Sequence, residues 1–322
     1  MLVAVALTYR FASLKQSAEI LLVDLDSGDV VQRRWLPPPM FDLTLGDRPT
    51  GGGRQRGARG VRCVEDKIYV ATFDTIHVLD ANLRSVEQVT SDRFCDIHEF
   101  SVVKAGFVVT STRMDAVVWC DIRGSVSRVW CATEDESLLS AGLEIPRMLR
   151  DRECDWRAMY PSDNPTHLNA ISFSRDSTLV ALHNQGVLWD IDGESIWHDA
   201  REAEARKTHN HIRLSDGRII VNDTSHGRLI QWDQDRWVSI DLSQPGVCPD
   251  RPRGLSASWA IEHGWLRGLV EMGDGRFLAG QCPAAIIIVD KQLNHIEKIV
   301  RLHHDWRVSV NGLDVLGPDK TV

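Results

Sequence analysis

Short apolar runs that end in aspartate recur along the chain: ILLVD to Asp24, IHVLD to Asp80, VVWCD to Asp121, VLWD to Asp190, LIQWD to Asp233 and IIIVD to Asp290. Runs of this length bounded by turn residues read as strands rather than helices. A second mark opens a strand on a polar or basic residue two places before an apolar one. It appears at Arg59-Gly60-Val61, His98-Glu99-Phe100, Asn169-Ala170-Ile171, Asn210-His211-Ile212, Arg267-Gly268-Leu269 and Asn311-Gly312-Leu313. Hairpin turns lie between the marks, such as Lys104-Ala105-Gly106, Ser215-Asp216-Gly217 and Gly273-Asp274-Gly275. Gly and Asp suit them because tight turns demand positive φ. Beyond each aspartate a fourth strand is predicted, at Ser85–Thr90, Val126–Trp130, Ser195–Trp197, Trp237–Ile240 and His295–Leu302.

Four short antiparallel strands repeated along a chain predict an all-β propeller. The last repeat has only an inner strand, Ser309–Val315, and the N-terminus supplies three more at Leu2–Thr8, Glu19–Asp24 and Val30–Trp35. Completing one blade from both ends removes two exposed sheet edges. The prediction is therefore a single six-bladed β-propeller domain over 1–322. The spare length falls in connections from an outer strand to the next inner strand. The long loops 37–57, 132–166 and 241–264 thus share one face, where they are expected to cover a site as a lid.

Composition narrows the function. A net charge of −8 without a Lys/Arg block beyond Arg54-Gln55-Arg56 and the stretch 147–157 argues against nucleic acid. No apolar run approaches the roughly 18 residues that cross a bilayer, and the N-terminal MLVAVAL lacks the flanks of a secretory signal. The seven cysteines are odd in number and scattered, as in a reduced, cytoplasmic protein. Gly51-Gly52-Gly53 has no strand-to-helix context, so no nucleotide cofactor is expected.

Aligned inner strands place Arg59, His98, Asn169, Asn210, Arg267 and Asn311 at equivalent channel positions. Two residues earlier stand Asp96 and His167, expected to point the same way by strand alternation. Charges confined in a channel cost several kcal/mol unless paired or liganded. A functional site outweighs a solvated polar channel on that ground. Asp96, His98 and His167 offer ligands for a divalent metal such as Zn, Fe or Cu, with Asn169, Asn210 or His209 able to complete the shell, and Ca or Mg suiting the carboxylate and amide oxygens. Without a metal, the His98–His167 pair can act as acid and base near neutral pH. Arg59 and Arg267 read as clamps for carboxylate or phosphate, or else as partners of Asp96, Glu99 or Glu271. Asn169, Asn210, Asn311 and Glu99 complete the substrate set. On the rim, His183, Asp223 and His226 are candidate contacts, while His209 and His211 are expected to alternate away from the channel axis. Cys282 has no visible base beside it.

The stretches Asp96-Ile97-His98-Glu99, Thr166-His167-Leu168-Asn169, Thr208-His209-Asn210-His211 and Leu266-Arg267-Gly268-Leu269 resemble the blade starts of an uncharacterised bacterial propeller family. More distantly the repeat is similar to the gluconolactonase, streptogramin-lyase and NHL propellers. That resemblance implies a divalent metal at the channel mouth, held in the lactonase group by an acidic residue and two amides. This chain has Asn169 and Asn210, with Glu99 or Asp223 as the acidic candidate. The resulting expectation is an enzyme of lyase, hydrolase or isomerase type acting on a small anionic or peptide-like molecule. The competing expectation is a non-catalytic propeller binding a protein, peptide or small ligand on the same face. The sequence sets no oligomeric state.

Overall fold

A computed structural model describes residues 1–317 apart from 11, 40–56, 150, 152, 159–163, 175–176, 206, 234–235 and 244–264. Its strands form six four-stranded antiparallel sheets. The N-terminal blade holds β1 (Leu2–Tyr9), β2 (Ala18–Asp24) and β3 (Val30–Trp35). Next come β4 (Val61–Val64), β5 (Lys67–Ala71), β6 (Thr75–Asp80) and β7 (Ser85–Thr90). The following blade has β8 (Ile97–Val103), β9 (Gly106–Ser111), β10 (Ala116–Asp121) and β11 (Val126–Cys131). Then come β12 (Leu168–Ser174), β13 (Ser177–Leu182), β14 (Val187–Asp190) and β15 (Ser195–Asp199). The fifth set is β16 (Thr208–Arg213), β17 (Ile219–Asp223), β18 (Arg228–Asp233) and β19 (Arg236–Asp241). The sixth is β20 (Trp265–Glu271), β21 (Phe277–Cys282), β22 (Ala285–Val289) and β23 (Ile296–Arg301). Finally β24 (Val308–Val315) returns to pair with β1, giving the order β24-β1-β2-β3 and closing the ring as the sequence predicts.

The strand-ending aspartates have a local cause. Asp80 Oδ1 accepts from the backbone N–H of Asn82 at 2.9 Å and of Arg84 at 2.7 Å, and Asp121 treats Arg123 and Ser125 the same way. These side-chain turns stop the third strand and launch the fourth. Backbone donation from Ser125 and Arg123 holds the Asp121 carboxyl below its ordinary range. The apolar faces pack between blades rather than within one central core. Among the described residues there are six hydrophobic clusters, each between two neighbouring blades. Buried Phe73, Phe94, Phe100 and Trp156 fill one of them, and Trp189 another. The connections also hold a 3₁₀ turn at Ala200–Ala203 and a short helix at Glu136–Ser140. Among the described residues no helix is long and apolar enough to cross a membrane.

One departure from regular strand geometry decides the site. Every inner strand carries a two-against-one irregularity near its start. In β8 it falls between Ile97 and Phe100, in β12 between Leu168 and Ile171, and in β16 between Thr208 and His211. In β20 it falls between Arg267 and Leu269, and in β24 at Asn311. Just before β4 the same pattern appears in hydrogen bonds, Arg59 N–H to Ala71 O and Ala71 N–H to Gly60 O. A bulge re-aims side chains and breaks simple alternation. Glycine follows the polar residue in three blades because the backbones converge there. A Cβ on Gly312 would lie 2.0 Å from Arg59 O, and one on Gly60 would lie 2.3 Å from Glu99 Oε1.

Candidate functional site

The bulges bring one polar residue per blade to the channel: Arg59, His98, Asn169, His209, Arg267 and Asn311. They line a single cavity together with Glu99 and Asn210. The cavity inside this ring is small, about 10 Å3. That is room for roughly one water molecule or one oxygen atom.

Two sequence expectations need correction here. His209 was expected to point away, yet it takes the ring position, and Asn210 follows it at the position of Glu99, Ala170, Gly268 and Gly312. The reason is the bulge register: a histidine, His211, fills the slot that is apolar in the other blades. Asn210 still lines the cavity, where Nδ2 donates to Glu99 Oε2 at 3.1 Å and Oδ1 accepts from Gly268 N–H at 2.8 Å. The second correction concerns Asp96 and His167. Both precede their strands in left-handed backbone, at φ of 60° and 49°, so strand alternation does not set their direction. Asp115 anchors the His167 turn by accepting from Thr166 Oγ1 at 2.5 Å and His167 N–H at 2.8 Å.

The charges sort into pairs and one exception. Arg59 Nη2 lies 2.9 Å from Asp96 Oδ1, an ion-pair contact off the hydrogen-bond direction. Asp96 Oδ2 is 3.5 Å from His98 Nε2, and His98 Nδ1 meets Asn169 Oδ1. Burial raises the Asp96 carboxyl, while Arg59 and then Arg113 oppose it. Glu99 faces Arg62 Nη2 at 3.3 Å and closes the floor; burial raises its carboxyl too. Of the two arginines read as clamps, Arg59 is thus paired. Arg267 has no carboxylate at ion-pair distance among the described residues. Its carbon Cζ lies 4.4 Å from the ring centre of Trp265, which also receives Arg10 at 4.5 Å. Burial, then the charges of Arg10 and Arg59, make Arg267 harder to protonate.

Four imidazoles adjoin one another. Ring centres lie 5.0 Å apart for His98–His167, 5.2 Å for His167–His183 and 4.2 Å for His183–His209. His183, expected on the rim, is buried within this group. Burial holds all four well below an ordinary histidine, with nearby arginine charge adding to the effect, and His183 falls to about 3. Two tautomers follow from the partners. His183 Nδ1 is 2.8 Å from Thr208 O, which only accepts, so Nδ1 carries the proton. Thr224 Oγ1 has one hydrogen for two acceptors, Leu266 O at 3.1 Å and His209 Nδ1 at 2.7 Å; with the hydrogen on Leu266 O, His209 Nδ1 donates to Thr224. His183 thus keeps a bare lone pair on Nε2; in the same arrangement so does His209, whose Nε2 is sealed without a partner. Arg267 Nε, Trp265 Nε1 and Asn169 Nδ2 are sealed donors in the same state.

The remaining predicted residues are placed as follows. Asn311 Nδ2 donates to Thr8 Oγ1 at the cavity wall. Asp223 is buried on the rim, occupied by His226 Nδ1 at 2.7 Å and Arg228 Nε at 2.8 Å, and neither it nor His226 lines the cavity. The Cys282 thiol donates to Trp306 O and is pushed up by burial. Of the proposed lid segments, 37–57 and 241–264 fall largely outside the described residues, as does the glycine triplet; most of 132–166 is described, with Leu138, Leu143 and Ile145 packed in one inter-blade cluster and Trp156 in another. The metal expectation finds no fit: among the described residues no three His, Cys, Asp or Glu side chains are grouped to hold a metal ion, and Asp96 is already shared by Arg59 and His98. Residues that sequence reasoning missed are Arg62, Arg10 and the ring position of His209.

No family model matches the chain, and no curated protein matches it significantly. Solved structures do. A protein of unknown function from Bacteroides caccae aligns over 97% of this chain and 98% of its own at 9% identity, with a TM-score of 0.56. The WD40 β-propeller domain of Doa1 aligns over 94% and 81% at 9% identity, with a TM-score of 0.51. A streptogramin B lyase matches over 72% and 68% at 11% identity, with a TM-score of 0.42. Together with the six closed blades, the two fuller matches define the class as a β-propeller. At such identity the likeness extends to the fold alone.

Proposed function

We propose that the ring is a binding and proton-transfer site for a small anionic molecule, and that the protein is an enzyme of lyase, hydrolase or isomerase type. The observation that carries this reading is the pairing of a guanidinium lacking a carboxylate with a sealed imidazole lone pair in one water-sized space. Buried donors and acceptors are almost always satisfied, so a set left open on one cavity points to a missing partner. Arg267, backed by Arg10 across Trp265, supplies the positive charge that a carboxylate would neutralise. His209 Nε2 is assigned as the general base: burial and the Arg267 charge lower its basicity in the empty ring, and a bound carboxylate that offsets Arg267 would raise it. His98 and His167 extend the chain of neutral rings, and the Arg59–Asp96 pair positions His98. The same donors would serve a non-catalytic ligand-binding propeller, so catalysis rests on His209.

Calorimetric titration with small carboxylates tests binding, and proton NMR of the same mixtures tests turnover. Wild type is expected to bind at least one carboxylate and convert it. Arg267→Gln should weaken binding by at least tenfold, and His209→Phe should abolish turnover. Carboxylate binding unchanged by Arg267→Gln would sink the site assignment. Binding without turnover in any mixture would leave the non-catalytic alternative in place.

A further inference from the structure

The ring's hydrogen-bond inventory specifies more than charge. A pure anion acceptor would satisfy Arg267 Nε and Asn169 Nδ2 but would face the lone pair of His209 Nε2, and two acceptors in contact repel. The Glu99 carboxylate also lines the space, which disfavours a multiply charged oxyanion such as phosphate. Room for one oxygen excludes a tetrahedral head group as well. An O–H group meets every condition: its oxygen accepts from the N–H donors, and its hydrogen goes to His209 Nε2. The charge on Arg267 is then left for an anionic group just outside the ring, where the Trp265 indole holds Arg10 and Arg267.

We infer that the substrate class is a hydroxycarboxylate, with its hydroxyl seated in the ring against His209 Nε2 and its carboxylate on Arg267 and Arg10. This rests on the reading of the ring as an anion-binding acid–base site. The tautomer is the discriminating element, and Thr224 fixes it. In this assignment Thr224 Oγ1 keeps its hydrogen on Leu266 O and so holds the His209 proton on Nδ1. Removing that hydroxyl frees His209 to protonate Nε2, which turns the acceptor into a donor.

Matched pairs of probes provide the test: lactate against propionate, and malate against succinate, titrated calorimetrically into wild type, Thr224→Val and Arg267→Gln. A ring built to accept from a hydroxyl rejects the analogue lacking it, so at least one hydroxy acid should bind tenfold or more tightly than its deoxy partner. In Thr224→Val that preference should fall to within about threefold while binding of the deoxy acid persists. Arg267→Gln should weaken both members of the pair alike. Equal binding of hydroxy and deoxy acids by wild type overturns the inference yet leaves the anion site standing. No binding of any of the four acids overturns both. If Thr224→Val unfolds, His209→Phe carries the same readout, and a preference that survives there overturns the inference.

Discussion

The channel has two ends that differ in nearly every respect. On the loop-bearing face, the ring is tightly packed, polar and almost filled. On the opposite face, where the turns between first and second strands gather, a funnel of about 1250 Å3 opens. Ile171, Phe173, Ile212, Leu269 and Val270 line it, with Lys104, Arg213 and Glu271 around them. The Glu99–Arg62 contact separates the two, since Glu99 lines the ring and Arg62 the funnel. By volume alone the funnel is the better pocket. By chemistry it is poorer, because Glu99 already faces Arg62, and Asp314 accepts from Cys63 N–H. The ring, though small, concentrates open donors and a bare lone pair. Unspent hydrogen-bonding capacity, not empty space, marks the candidate site.

The sharpest way to break this comparison is to unbalance the ring's own charges. Asp96→Ala leaves Arg59 buried beside Arg267 without its counter-ion. Breaking a buried pair from one side costs about 3–5 kcal/mol, measured as a drop in unfolding free energy in urea. Arg267→Gln removes a buried cation with no carboxylate partner among the described residues and should leave stability unchanged or raise it. Equal losses in the two variants would mean that Arg267 is paired and the ring is charge-balanced.

Acid separates the ends next. His183 on the ring side sits at about 3 and His211 on the funnel side at about 4, both lowered first by burial. Each is neutral when folded, whereas the unfolded chain takes up a proton below about 6.5. Stability is therefore fully present above that value and falls as pH drops toward the folded pKa, where the loss levels off. Between pH 7 and 5 each residue should cost about 2 kcal/mol. Replacing either by Phe should flatten the pH dependence by that amount, and a dependence unchanged in both variants refutes the assignment.

How far all this was legible in the sequence differs between fold and site. Asp80 and Asp121 announce the third strand because their carboxylates make the turn that ends it, so a local interaction leaves a local mark. The blade shared by both termini was readable because Ser309–Val315 stands alone and Leu2–Trp35 lacks an inner strand. The ring was partly readable, since Arg59, His98, Asn169, Arg267 and Asn311 head their strands in a common frame. His209 was not, because bulge register is set by pairing across the sheet and His211 mimics a polar slot. Arg59–Asp96 and Arg62–Glu99 join different blades, and no spacing encodes which arginine is left over. The lone pair on His209 depends on Thr224 and Leu266, far along the chain, and is visible only in three dimensions.

The smallest effect tests whether the funnel is only packing around the ring. Ser172 Oγ lies 2.9 Å from His211 Nε2, across the inner strands β12 and β16, and Ser172 faces the funnel. The pair has the distance of a nucleophile and its base, but His211 Nδ1 is sealed without a partner, so nothing orients the ring as a base requires. On this reading the contact is structural. Ser172→Ala should cost about 1 kcal/mol, the worth of one hydrogen bond to a buried group, and should leave carboxylate binding and turnover at the ring unchanged. Loss of turnover in Ser172→Ala with the unfolding midpoint preserved would reverse the comparison and move the chemistry to the funnel.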